Sequence, residues 1–62
     1  MKRARIIYNP TSGRELFKKN LAEVLETLEI AGYETSCHAT TREGDATEAA
    51  RKAVENGFDI II

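Results

Sequence analysis

Apolar and polar positions change period four times along this chain, and each change marks an element. The opening run, Lys2–Tyr8, closes on Ile6, Ile7 and Tyr8, all strong strand formers, and stops at Asn9-Pro10. Ile6 and Ile7 side by side point to opposite faces, which predicts a strand buried on both. Beyond the loop, Phe17, Leu21, Val24, Leu25 and Leu28 recur at steps of three and four, the signature of one apolar helix face. Ser12 with Glu15 forms a capping-box pattern at its start, Glu15 and Lys19 make a favourable i,i+4 pair, and Gly32 suits a left-handed end.

Residues 33–40 alternate. Tyr33, Thr35, Cys37 and Ala39 share one face, and Glu34, Ser36, His38 and Thr40 share the other. A half-polar strand suits the edge of a sheet, with Cys37 packed toward the core. Asp45 with Glu48 repeats the capping pattern and opens a second helix, whose inner face is Ala46, Ala49, Ala50, Ala53 and Val54. Gly57 ends it, and residues 58–62 form a third strand finishing in Ile60-Ile61-Ile62.

Helices between consecutive strands imply parallel crossover connections. The fold class expected is α/β, with three parallel strands in the order 2-1-3. Right-handed crossovers then place the helices on both faces. No repeat, linker or low-complexity segment interrupts residues 1–62. The chain stops inside its most apolar strand, and three strands fall short of the usual five or six. It therefore reads as the N-terminal part of a larger domain.

Composition narrows the function classes. Hydrophobic residues make up 42% of the 62 positions and charged residues 31%, the balance of a globular chain. A formal net charge of −1 argues against a general nucleic-acid binder. No apolar run reaches membrane-spanning length, and no signal-peptide core follows the basic Met1-Lys2-Arg3-Ala4-Arg5 start. A single cysteine, Cys37, excludes an internal disulfide and a multi-cysteine zinc site, so a reducing, cytoplasmic setting is the expectation. Charge is unevenly spread: six of nine basic residues fall in the first nineteen positions, opposed there only by Glu15. Two solvated faces of one domain would look like this, and so would a positive field near an anionic ligand.

In open parallel sheets, ligands bind outside the carboxyl ends of the strands, where the strand order reverses. In a 2-1-3 sheet that is the loop after strand one. Gly13 permits close backbone approach, Ser12 offers a hydroxyl, Arg14 adds charge, and the first helical amides favour an anion. The loop is neither a Walker P-loop nor a dinucleotide fingerprint, and its residues equally fit an ordinary strand-to-helix turn. His38 reads as a surface histidine without a partner, Asp45 as a helix cap, and no Ser/His/Asp set assembles.

Ile6-Ile7-Tyr8-Asn9-Pro10-Thr11-Ser12-Gly13 resembles the opening of the diacylglycerol kinase catalytic domain, a family of lipid kinases related in fold to NAD kinases and phosphofructokinase. Its first motif is a strand, Asn-Pro-x-Ser-Gly, then a helix. Gly32-Tyr33-Glu34 and Gly44-Asp45-Ala46 extend the likeness along the chain. The resemblance implies the N-terminal part of an NAD kinase/diacylglycerol kinase-like nucleotide-binding domain, from an ATP-dependent enzyme that makes phosphatidic acid from diacylglycerol. It implies that Asn9, Pro10, Thr11, Ser12 and Gly13 lie at the phosphates and Thr40 near the nucleoside, with Thr41 as the other match for that position. It places the catalytic base, the Mg²⁺ ligands, a second glycine-rich loop and a second, β-rich domain outside these residues, so that the isolated chain is expected to be inactive. The implied partners are ATP and a diacylglycerol-type lipid, with the parent protein peripheral at the inner membrane surface and self-association open. A non-catalytic receiver-like or flavodoxin-like module shares the 2-1-3 start. A receiver needs paired acidic residues where this chain has Asn9-Pro10, and a flavodoxin-like loop is richer in Ser and Thr. A scaffold piece without a ligand is the third alternative.

Overall fold

The structure is a computed structural model that describes residues 1–11 and 14–62, with the backbone alone for residues 14–17. Five elements follow in the expected order: β1 (Lys2–Tyr8), α1 (Arg14–Ile30), β2 (Tyr33–Ala39), α2 (Asp45–Glu55) and β3 (Ile60–Ile61). The strands form one sheet in the order β2-β1-β3, and both pairings are parallel. The capping-box expectation at Ser12 lies outside the described residues.

Register assigns the faces. Ala4 pairs with Thr35 and Ile60, and Ile6 with Cys37, so these side chains share one face. Glu29 of α1 accepts a long hydrogen bond from Thr35 Oγ1 at 3.5 Å, which places α1 on that side. Arg5 pairs with Ser36 and Ile61, and Ile7 with His38, on the other face. His38 meets Asp45 of α2 there at 3.1 Å. The helices thus cover opposite faces, as right-handed crossovers require.

The buried hydrophobic residues are Ala4, Ile6 and Ala53 among those described. Three expectations need correction. Ile7 is only half-buried, because the α2 face of β1 also carries Arg3 and Arg5. Their guanidinium groups lie 4.1 and 4.6 Å from the Phe58 ring centre, so long basic stems and one aromatic ring do the covering. Cys37 is exposed, because β2 is an edge strand with a neighbour on one side only. Ala46 is also exposed and Val54 is 66% exposed, so the inner face of α2 is narrower than its alanines imply: Ala53 buried, Ala49 and Ala50 half-buried.

Glycine ends both helices as expected. Gly32 has φ +94° and Gly57 has φ +77°, a region that L side chains enter only with strain. Strand β3 is shorter than the apolar run, but its flanks stay tied to β1. Asp59 N donates to Arg3 O at 2.8 Å, and Arg3 N donates to Asp59 Oδ2 at 2.7 Å. Arg3 also reaches Asn56 O through its guanidinium at 2.9 Å. One arginine therefore fastens the turn between α2 and β3 to the amino end of the central strand.

That arrangement predicts unequal effects from two neighbouring cations. Arg3→Ala removes a ring contact and a hydrogen bond, and urea unfolding should show a loss of about 1–2 kcal/mol. Lys2→Ala, whose ammonium sits 5.9 Å from the Tyr33 ring centre, should stay within about 0.5 kcal/mol of the parent. Equal losses would contradict the assignment.

Candidate functional site: the carboxyl edge of the sheet

Three backbone segments converge where β1 ends. Thr40 N donates to Tyr8 O at 2.8 Å, which brings the loop after β2 beside the loop after β1. On the other flank Ile7 N donates to Ile62 O at 2.9 Å. The strands are parallel, so all three carboxyl ends share this edge.

The loop after β1 is shaped by its own first side chain. Asn9 Oδ1 accepts from Thr11 N at 3.0 Å and from Thr11 Oγ1 at 2.8 Å. An Asn side chain bonded to the backbone two residues on is an Asx-turn, and Pro10 between them holds φ near the value such a turn needs. Asn9 Oδ1 is therefore engaged in building the loop. Asn9, Pro10 and Thr11 are all exposed. Ser12 and Gly13, the other two expected phosphate contacts, lie outside the described residues.

The loop after β2 has a polar anchor that periodicity did not show. Asp45 is 8% exposed and is the buried charged residue among those described. Its Oδ2 accepts from Thr41 N at 2.7 Å, Thr41 Oγ1 at 3.1 Å and His38 Nε2 at 3.1 Å. The Thr41 amide, then the His38 contact, hold the Asp45 carboxyl below the usual carboxylate range, against a smaller opposing effect of burial. Two expectations change. Asp45 is not the helix cap: Gly44, with φ +84°, precedes the helix, and its carbonyl accepts from Glu48 N at 3.2 Å. Nor is His38 without a partner. A carboxylate one residue past a left-handed glycine is turned back to the preceding loop, and Gly44-Asp45 was the sequence signal for it.

Thr40 and Thr41 now separate. Thr41 gives both its amide and its hydroxyl to Asp45, whereas the amide of Thr40 donates to Tyr8 O. Around the start of α2, Glu48 pairs with Arg42 at 2.8 Å and with Lys52 at 3.4 Å, and its carboxyl is lowered first by Arg42. A pocket of about 140 Å³ lies between α2 and the sheet, lined by Arg5, His38, Asp45, Glu48 and Lys52 among others. Its charges are mixed, and it sits on the α2 face, whereas the loop after β1 lies at the edge. Among the described residues, no group of three or more His, Cys, Asp or Glu could hold a metal ion. No helix among them is long and apolar enough to cross a membrane.

Comparison with known proteins identifies the family. The family model for the diacylglycerol kinase catalytic domain matches residues 3–62. The chain is 71% identical over 62 residues to a diacylglycerol kinase of Bacillus subtilis (strain 168), covering all of this chain and 20% of that protein. It is 66% identical over 59 residues to a diacylglycerol kinase of Staphylococcus haemolyticus, covering 95% of this chain and 18% of that protein. A diacylglycerol kinase of Staphylococcus aureus (strain Newman) is 59% identical over 61 residues, covering 98% and 19%. The chain thus spans about a fifth of the length of the curated relatives it matches.

The depressed Asp45 carboxyl sets a pH signature. A group whose folded-state pKa is lowered adds stability above its ordinary value, about 4, and loses that contribution as pH falls through the lower folded value. The urea-midpoint gap between the parent and Asp45→Asn should therefore be widest near neutrality and shrink below about pH 4. A gap that stays constant down to acid pH would contradict the assigned ionised state.

Proposed function

The chain belongs to the diacylglycerol kinase catalytic-domain family, and from that membership we propose that it forms part of the ATP site of a lipid kinase that phosphorylates diacylglycerol. In the reaction, the free hydroxyl oxygen of the lipid attacks the γ-phosphorus. A new P–O bond forms, the bond to the β-phosphate oxygen breaks, and ADP departs as phosphatidic acid forms. Phosphoryl transfer asks a protein mainly for positioning and charge neutralisation. The contribution of these residues is positioning.

One observation carries this reading. The Asx-turn at Asn9 and Thr11 stands at the carboxyl end of the central strand, directly beside Thr40. That is where an open parallel sheet accepts a ligand. Asn9 shapes the turn, Pro10 stiffens it, and Thr11 closes it. Ser12 and Gly13 complete the phosphate-binding stretch in the proposal, Ser12 with a hydroxyl and Gly13 by admitting close backbone approach. Thr40 lies toward the nucleoside.

Magnesium, when bound with ATP, supplies the neutralising charge for the phosphates. The proposal places its ligands, the base that takes the hydroxyl proton and the lipid site in the rest of the protein. It places the enzyme at a membrane surface, because its lipid substrate resides in one, and on the cytoplasmic side, where ATP is supplied. The receiver-like and flavodoxin-like readings are not favoured, since the family match covers residues 3–62.

The test uses the full-length protein carrying this segment, with ATP affinity read by calorimetry and phosphatidic acid formation read in mixed micelles. Gly13→Val, which puts a branched side chain where phosphate must approach, should weaken ATP binding by at least about tenfold with the fold retained. Ser12→Ala should cost a several-fold effect, on the order of 1 kcal/mol. Lys2→Ala, at the amino end of β1, is the control and should bind ATP as the parent does. Arg3 is unsuitable as a control because it fastens Asn56 and Phe58. Parent-like ATP binding by Gly13→Val would overturn the reading.

A further inference from the structure

Thr40 is held by bonds on two successive amides. Its own N–H donates to Tyr8 O, and the next N–H, that of Thr41, donates to Asp45 Oδ2 at 2.7 Å. The two peptide units that flank the Thr40 Cα therefore have little freedom left, because one is pinned to β1 and the other to the first turn of α2. Thr41 also turns its hydroxyl onto the same carboxylate at 3.1 Å, away from any ligand role. His38 Nε2, at 3.1 Å, braces the carboxylate from β2. The carboxylate thus links β2, the loop and α2.

We propose that Asp45 is a positioning residue for the nucleotide: by holding the Thr41 amide it sets the peptide that presents Thr40 to the ligand edge, and it makes Thr40, not Thr41, the threonine that meets ATP. This rests on the reading of the carboxyl edge as the nucleotide site. Asp45 does not touch the nucleotide. Its effect passes through one peptide unit, so it changes ATP binding without a matching change at the lipid. Productive geometry in a site depends on such supporting hydrogen bonds as much as on the groups that touch the ligand.

A double-mutant cycle on the full-length protein tests this. ATP affinity is measured by calorimetry with Mg²⁺ present, alongside kcat, both KM values and thermal unfolding. Asp45→Asn keeps the size and loses the charge, and should weaken ATP binding by about tenfold, the scale of a lost charge-assisted hydrogen bond. The KM for diacylglycerol and kcat should each stay within about twofold, which separates positioning from general loss of structure. Thr40→Ala should weaken ATP binding by a similar factor. The double variant Thr40→Ala/Asp45→Asn should bind no more than about twofold more weakly than Thr40→Ala alone, because Asp45 acts through Thr40. Thr41→Ala keeps its backbone N–H and should lose less than about threefold.

Factors that multiply in the double variant would overturn the proposal, as would parent-like ATP binding by Asp45→Asn. A Thr41→Ala loss as large as that of Thr40→Ala would overturn the choice of threonine. If Thr40→Ala binds ATP like the parent, the nucleotide-site reading at this loop falls, and the proposal with it. If only Asp45→Asn is silent, the proposal falls and the site reading stands. Should Asp45→Asn fail to fold, Asp45→Glu carries the same cycle, since it keeps the charge and displaces the carboxylate by one methylene.

Discussion

Parallel pairing of β1 on both of its edges is the constraint from which the rest of the arrangement follows. A strand bonded to parallel neighbours on each side sends all three chains in one direction, so every outgoing loop leaves from a single edge. The connections must then cross back over the sheet. Right-handed crossovers from a central strand put α1 and α2 on opposite faces. The loop after β1 lands beside the loop after β2, and the Thr40–Tyr8 hydrogen bond records how close they come.

Little apolar burial supports this frame, with Ala4, Ile6 and Ala53 its buried hydrophobic residues among those described. Polar fasteners at the two ends of the sheet carry part of the load. At the amino end, Arg3 ties the turn after α2 to β1 through Asn56, Asp59 and the Phe58 ring. At the carboxyl end, Asp45 ties the loop after β2 to α2. The part-buried Asp45 carboxylate gains most from its partners, because a lower local dielectric strengthens each bond, whereas the Arg3 hydrogen bonds are exposed to solvent. The two ends differ in role. The amino end is a structural closure, and the carboxyl end holds the loops in which the proposed chemistry lies.

The elements were legible because their signals are local. Steps of three and four in α1, alternation in β2 and glycine at residues 32 and 57 each act within a few residues, and the structure forms the helices and the strand that they mark. The candidate loop was singled out by topology plus one short motif. What stayed hidden depends on distances across the fold. His38 and Asp45 are seven positions apart in sequence, and their contact appears only once α2 returns over the sheet. Gly44 displaced Asp45 from the cap position, and a capping pattern cannot distinguish those two neighbours. Arg3 is one of several basic residues at the start of the sequence, and nothing local shows that its guanidinium reaches the Asn56 carbonyl, 53 positions away. Cys37 and Val54 show the converse error: an apolar residue at a regular step is buried only where another element covers it.

The central claim is that the carboxyl edge of β1, and not the opposite edge or the α2 pocket, receives the nucleotide. Hydrogen–deuterium exchange of the full-length protein, with and without Mg²⁺-ATP, tests it most directly. The account predicts slower exchange in peptides covering residues 8–14 and 38–42, and unchanged exchange in those covering 30–35 and 55–59. Protection confined to the amino-end peptides, or absent from both carboxyl-edge segments, would contradict it.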